Sequence, residues 1–391
     1  MSESTLCIQG PPGTGKTYTA AAVIVELLRR GHRVGVTAQS HKVILNLMDD
    51  VLEAMARQGV SAPVYKVTGS DEEPLPQGSP IQPIESRDTA GILGDGAVLV
   101  GGTAWAFSRE ALGGRFDYLV VDEAGQFSLA NAVAVGLSTR NLILVGDQMQ
   151  LAQVTQGHHP GDTGRSCLEY FLDRQATIAG DRGVFLDESR RMHPDLCRFV
   201  SDAVYESRLG SIPETTRHRV LRAPDTTLVP KETGLAWVPV AHDDCTQSSE
   251  EECDAIDGIV DELLGRRVVD HTGIERPMTR DDILIVAPFN LQVRCLRERL
   301  PGIRIGSVDK FQGQEAPVVI VSLCASTLDE APRGASFLLS PNRLNVAVSR
   351  AQALAIVVGC PALLDVRVRS VPEMELVNLL CHLVEYAEGR A

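Results

Sequence analysis

Leu6-Cys7-Ile8-Gln9-Gly10-Pro11-Pro12-Gly13-Thr14-Gly15-Lys16-Thr17 is the stretch on which the fold turns. A short apolar strand runs into the spacing G-x-x-x-x-G-K-[ST], and a helical pattern follows over Lys16–Arg30. Glycines at these positions let successive backbone N–H groups turn inward around a polyphosphate, which also meets the positive end of the following helix. Lys16 would set a cation between the outer two phosphates, and the Thr17 hydroxyl would ligate Mg2+. Gly10, Pro11, Pro12, Gly13, Thr14, Gly15, Lys16 and Thr17 are therefore read as a nucleotide-binding loop.

The rest of the chain repeats the strand–helix rhythm. Short, fully apolar runs at Arg33–Ala38, Ala97–Gly101, Tyr118–Val121, Leu142–Val145, Gly183–Leu186, Ile283–Ala287, Ile303–Ser307, Val318–Leu323 and Ala355–Gly359 read as buried strands. Between them lie helical patterns such as Lys42–Gln58, Asp195–Tyr205, Glu250–Leu264 and Glu373–Glu388. That alternation predicts an α/β fold with mostly parallel sheets flanked by helices. Two tandem α/β domains are expected, at 1–180 and 181–391, the first broken by a loop-rich excursion at 69–95 that is dense in Pro, Gly, Ser and acid. Ser211–Thr233, without periodicity, reads as a second surface excursion.

Composition narrows the class. The 391 residues are 44% hydrophobic and 23% charged, which excludes intrinsic disorder, and 34 Gly and 21 Pro without a period exclude a collagen-like chain. No apolar run approaches the roughly 18–20 residues of a membrane span. The first residues carry no basic segment followed by an apolar one, so the expectation is a cytoplasmic protein without a membrane partner. A net charge of −14 argues against gripping nucleic acid through a broad basic face, though not against a narrow groove of a few cations and amides. Lysine is scarce, at positions 16, 42, 66, 231 and 310 only, which makes each one worth placing. The nine cysteines show neither C-x-x-C nor zinc spacing and read as reduced thiols.

Two further strand ends carry chemistry. Asp117-Tyr118-Leu119-Val120-Val121-Asp122-Glu123 is an apolar strand ending in two acids, and carboxylates at the carboxyl end of a parallel strand face the ligand crevice. Asp122 would hold Mg2+, and Glu123 would orient the attacking water and take its proton. Leu142–Val145 ends in Gly146-Asp147-Gln148-Met149-Gln150-Leu151, where a glutamine could sense the terminal phosphate.

Together these segments resemble superfamily 1 helicases, in the branch that includes the nonsense-mediated-decay helicase. The ordered set is Gly10–Thr17, Ala38-Gln39-Ser40-His41-Lys42, Gly102-Thr103-Ala104, Val121–Gln126, Gly146–Leu151, Arg190-Arg191-Met192-His193-Pro194, Val286–Asn290, Ser307–Glu315 and Asn345–Ala351. The chain looks still more like the helicase portion of bacterial proteins that fuse a RecB-like nuclease to such a helicase. The resemblance implies two RecA-like domains with ATP and Mg2+ bound in the cleft between them. It makes Arg191 and Arg350 arginine fingers that stabilise charge spreading over the phosphoryl oxygens. It places Gly313 and Glu315 near the ribose and phosphates, and makes Gln150 the link from the terminal phosphate to the strand groove. Contacts to single-stranded DNA or RNA are implied at Ser40, Thr103, Asn290 and Ser307, and Lys42 and Lys310 fall in the same motifs.

Three departures matter. Arg190 stands where the family has a tyrosine that stacks on adenine; a guanidinium plane can also stack there. Ala152 replaces a proline. The loop begins at residue 10, without the upstream glutamine motif and accessory β-domain, so the expectation is a fragment or a split protein whose N-terminal region or nuclease partner lies elsewhere. The function implied is an ATP-hydrolysing single-strand translocase or helicase, 5′ to 3′, on DNA before RNA. The competing expectation is a nucleotide-dependent nucleic-acid clamp or accessory ATPase that does not unwind.

Overall fold

The computed structural model describes residues 1, 3–69, 75–76, 78–153, 157, 159–173, 175–224, 226–328, 332 and 334–390. The chain divides into two units: Met1–Gly10, Gly15–Gln148 and Ala152–Leu186 form the first, and Pro11–Thr14, Met149–Leu151 and everything from Asp187 form the second.

The first unit runs β1 (Thr5–Gln9), α1 (Lys16–Arg29), β2 (Arg33–Thr37), α2 (His41–Gln58), β3 (Val64–Thr68), β4 (Gln82–Glu85), β5 (Val98–Gly101), α3 (Ala104–Phe107), β6 (Tyr118–Val121), α4 (Leu129–Gly136), β7 (Leu142–Gly146), α5 (Cys167–Leu172) and β8 (Gly183–Phe185). Among the described residues its strands make one eight-stranded sheet in the order β4-β3-β5-β2-β6-β7-β1-β8, every pairing parallel. The inner strands are apolar on both faces because helices cover both. Ile24, Val25 and Leu28 of α1, and Ile44, Leu47, Met48 and Val51 of α2, recur at helical spacing and are buried against it.

Three expectations change here. β8 pairs with β1, so the first unit continues through Leu186 and the division falls after that residue, not after 180. The excursion at 69–95 is not all loop: its second half holds edge strand β4 and a 3-10 turn over Ser86–Ile92. β3 escaped the sequence reading because Lys66 interrupts its apolar run. That lysine is 1% exposed, donating to Val67 O at 2.7 Å and lying 3.0 Å from His41 Nδ1.

The loop after β6 crosses the end of β7 at backbone contact. Ala124 N donates to Val145 O at 2.9 Å, and Asp122 N to Thr37 O at 2.9 Å. A Cβ on Gly146 would come within 2.6 Å of Ala124 N, and one on Gly125 within 2.4 Å of Asp147 O. Only glycine lets the two chain segments lie this close, and that closeness fixes where Asp122 and Glu123 stand.

The second unit contains β9 (Glu188–Ser189), α6 (Pro194–Val204), β10 (Gly210–Ser211), β11 (Arg219–Leu221), β12 (Gly234–Pro239), α7 (Glu250–Leu264), β13 (Arg267–Val269), β14 (Glu275–Pro277), β15 (Ile283–Val286), α8 (Asn290–Arg299), β16 (Arg304–Gly306), β17 (Ala316–Ser322), α9 (Ala335–Leu338), α10 (Pro341–Val348), β18 (Ala351–Gly359) and α11 (Val371–Ala387). Its parallel sheet runs β12-β18-β17-β15-β16, with a small antiparallel sheet β11-β13-β14 beside it. Ser211–Thr233 thus contributes a strand to that second sheet, where the sequence showed only an excursion.

A buried polar network ties α7 to the end of β17. Glu252, fully buried, accepts from the Ser322 hydroxyl at 2.6 Å and Cys324 N at 3.0 Å, and lies 3.1 Å from His242 Nε2. Gln292 of α8 joins it by donating to Ser322 Oγ at 3.0 Å and accepting from Ser249 N at 2.9 Å.

Two stability outcomes follow from this packing. Glu252→Ala strands three buried polar groups and lowers unfolding free energy by about 3 kcal/mol, read from the denaturant midpoint of the second unit. Gly146→Ala overpacks a backbone crossing, at a cost of roughly 1–3 kcal/mol, and lowers the melting midpoint by several degrees in a calorimetric scan.

Candidate functional site

The nucleotide loop is built from the end of β1. Gly10 N donates to Gly146 O at 2.9 Å, which binds the base of the loop to the end of β7. Gly13 and Gly15 then take φ of +76° and +77°, conformations that side-chain-bearing residues rarely adopt. Gly15 caps α1 without a side-chain bond, and no acid stands in that helix's first turn, so its amide end keeps its positive character. The Lys16 ammonium donates to Gly10 O at 2.6 Å, folded over the loop it belongs to. Thr17 follows it, half-buried, in the first turn of α1.

Asp122 sits at the carboxyl end of β6 and is 4% exposed. Burial pushes its carboxyl well above the usual carboxylate range, and the neighbouring Glu123 charge pushes the same way. The bond from Glu123 N to Asp122 Oδ1, at 2.8 Å, and the Lys16 charge pull it down. Glu123 itself holds φ at +52°, a conformation costly for a glutamate. Thr37 Oγ1, buried at the end of the adjacent β2, makes no hydrogen bond among the described residues. A buried hard-oxygen donor crowded by a second acid is chemistry that fits a divalent cation, and Thr17 and Asp122 are the residues that would hold one.

The sheet order sorts these residues along one edge. All strands of the first sheet are parallel, so the segments after them emerge at the same edge, in the order β5, β2, β6, β7, β1. The residues expected from the sequence to bind nucleotide follow β1, β6 and β7. Ser40 and Lys42 follow β2, and Thr103 follows β5. Ser40 caps α2, accepting from Val43 N at 3.3 Å, while Thr103 precedes α3 without a side-chain capping bond. Lys42 is exposed.

In the second unit Arg191 is largely buried, with 12% of its side chain exposed, and its Nε donates to the Glu315 carboxylate. Its Nη1 donates to Ser349 O at 3.2 Å. Burial pushes the Glu315 carboxyl up, but the Arg191 charge and hydrogen bond, with one from Gln352, hold it below its ordinary value. Arg350 is 3% exposed and donates to Gln314 O at 3.4 Å. Gly313, at φ +78°, is exposed between them in sequence. Arg190 exposes its side chain, and its N donates to Gly13 O at 2.8 Å. Ser189 Oγ donates to Pro12 O at 3.2 Å. Gln150 is half-buried, with its carbonyl held by Asn342 Nδ2, and Met149 O accepts from Asn345 Nδ2 at 2.8 Å. Asn290 and Ser307 follow the paired strands β15 and β16, again at one sheet edge, and Lys310 is exposed beyond them.

Sequence reading missed Ser349, Gln352, Asn342 and Asn345 as holders of these groups. Gln352, which donates to Glu315 at 2.8 Å, did leave a signal: it is the lone polar residue in the apolar run of β18. Gln9 left one too, as a polar residue ending an apolar strand; it is fully buried and bonds Gln148 at 3.1 Å and Ala176 O at 2.8 Å.

Two family models, each described as an AAA domain, match the chain over residues 1–164 and 164–362. Among curated proteins it is 27% identical to DNA polymerase alpha-associated DNA helicase A of Schizosaccharomyces pombe, across 90% of this chain and 60% of that protein. It is 26% identical to the regulator of nonsense transcripts 1 homolog of Arabidopsis thaliana, across 92% of this chain and 31% of that one. It is 26% identical to the DNA replication ATP-dependent helicase/nuclease JHS1 of the same plant, across 98% of this chain and 28% of that one. The chain thus spans between about a quarter and three fifths of these relatives. With two such models laid end to end over its ordered motifs, one of them spanning half of the chain, the chain belongs to the AAA-domain family, and its curated relatives include DNA helicases and a regulator of nonsense transcripts.

Proposed function

We propose that the chain is an ATP-dependent motor on single-stranded nucleic acid, moving 5′ to 3′, with DNA its substrate before RNA. The observation that carries this reading is the order of strand ends in the first sheet. Nucleotide residues after β1, β6 and β7 share one edge with strand-contact residues after the neighbouring β2 and β5. A change at the phosphates is then passed through adjacent, hydrogen-bonded strands to the residues that hold the nucleic acid.

In this reading the loop amides and the α1 N-terminus bind the phosphates, and Lys16 leaves Gly10 O to meet the outer two. Thr17 and Asp122 would hold Mg2+, which would supply neutralisation of charge on the phosphate oxygens. Glu123 orients the attacking water and takes its proton. Arg191 exchanges Glu315 for the transferring phosphoryl group, and Arg350 supplies a second fixed cation. Arg190 offers its guanidinium plane to the base. Ser40, Lys42, Thr103, Asn290, Ser307 and Lys310 contact phosphate and sugar, which carry no sequence information. DNA stands before RNA because two of the named relatives are DNA helicases; the nonsense-transcript relative is the reason to assay both.

The test is ATP hydrolysis by the purified chain with and without an oligonucleotide. Stimulation by single strands, together with displacement of a duplex bearing a 5′ overhang, is the expected result. An ATPase indifferent to oligonucleotides sinks the motor, and stimulation without displacement points instead to a nucleotide-dependent clamp. Lys16→Ala and Glu123→Gln each lower turnover by roughly 10²–10³-fold, with Glu123→Gln still binding nucleotide in a fluorescent-analogue titration. Unchanged hydrolysis in Lys16→Ala would assign the measured rate to a contaminant.

A further inference from the structure

We infer that Trp105 is a stacking platform for a base of the bound single strand, a contact that resemblance to the helicase motifs does not supply. The inference rests on the motor reading above and adds a residue to its strand site.

Trp105 is 85% exposed, the most exposed large apolar side chain among the described residues. It is nonetheless held by a rigid support. Its neighbours in α3, Ala106 and Phe107, are buried to 5% and 1% exposure, and Phe107 packs edge-to-face on Phe116 with centroids 5.3 Å apart. Ala106 N and Ser108 N close the turn on Thr103 O and Ala104 O, both at 3.0 Å. The short helix is thereby pinned to the sheet, and the indole is the one side chain of α3 left well outside. Exposing an indole forgoes the burial typical of a large apolar side chain, so a covered state is favoured once a flat apolar surface arrives.

Its place in the sheet says what that surface is. Trp105 stands two residues beyond Thr103, at the carboxyl end of β5. On the adjacent β2, the segment that follows carries Ser40 and the exposed Lys42. Arg109, exposed, lies four residues further along from Trp105 and donates to Ser86 Oγ at 3.1 Å. Small hydroxyls, two cations and one exposed indole on neighbouring strand ends make the combination that holds a single strand: charge for the backbone, an aromatic face for a base. Every base has such a face, so the contact is indifferent to sequence, which is what translocation requires.

The chain has only one other tryptophan, the partly buried Trp237 of β12, so the indole can be watched directly. In a Trp237→Phe background, titration with an oligodeoxythymidylate is expected to quench the remaining emission saturably. An abasic oligonucleotide of the same length, binding through phosphates alone, is expected to leave it bright. Trp105→Ala is expected to keep basal ATPase and melting temperature, because the side chain is exposed, while weakening oligonucleotide affinity about tenfold; Trp105→Phe restores part of it. Oligonucleotide-stimulated ATPase with unchanged emission and unchanged affinity in Trp105→Ala overturns the platform and leaves the motor standing. No oligonucleotide binding by anisotropy overturns both. An emission that shifts with protein concentration alone, without nucleic acid, gives the indole to a second copy of the chain and also overturns the platform.

Discussion

A buried carboxylate with a second acid beside it is the constraint on which the candidate site of the first unit depends. Asp122 is nearly out of solvent, has a second acid as its immediate neighbour, and meets the Lys16 charge as its main favourable one. Burying a charge is costly unless it is paired or coordinated. The surrounding backbone keeps it in place regardless: Asp122 N is bonded to β2, Ala124 N to β7, and Gly125 and Gly146 allow the crossing that leaves no room for a methyl group. In the function proposed above, a divalent ion at this site would relieve the repulsion between the two acids.

The same logic recurs in the second unit with the signs reversed. Arg191 is largely buried and paired with Glu315, with the Ser349 carbonyl accepting from the guanidinium and Gln352 donating to the carboxylate. Pairing holds the guanidinium in a fixed orientation and holds the glutamate charged. In the function proposed above, a cation kept this way would exchange its carboxylate for a phosphoryl group with little reorganisation of its own. Arg350 is supported differently, by burial at the junction of α10 and β18 and a bond to the Gln314 carbonyl.

Parallel strands are what bring the groups of each unit to one edge. A parallel strand returns to the same side after every crossover, so chemistry placed after successive strands accumulates at a single rim. In the first unit the segments after five neighbouring strands, β5, β2, β6, β7 and β1, meet at that rim. In the second, Asn290 and Ser307 follow adjacent strands in the same way. The inner strands are mostly apolar, and the polar residues that serve this chemistry, Gln9, Thr37 and Gln352, stand at or next to strand ends.

The local motifs were legible because their chemistry is local. Gly10–Thr17 wraps phosphate through its own backbone, and Asp122-Glu123 needs only an apolar strand before it. The strand–helix alternation, covered on both faces, likewise shows in the chain as short apolar runs. Tertiary structure alone decided what depends on distant partners. Lys66 is buried because His41 and a carbonyl receive it, so β3 looked too polar to be a strand. β8 belongs to the first sheet because it pairs with β1, some 175 residues earlier, which moved the division of the chain past residue 180. The crossing of Gly125 with Gly146 and the pairing of Arg191 with Glu315 join segments that no window of sequence contains together. Spacing along the chain records what a residue can do to its neighbours in sequence; burial, register and charge pairing are set by neighbours in space, and those exist only once the strands have met.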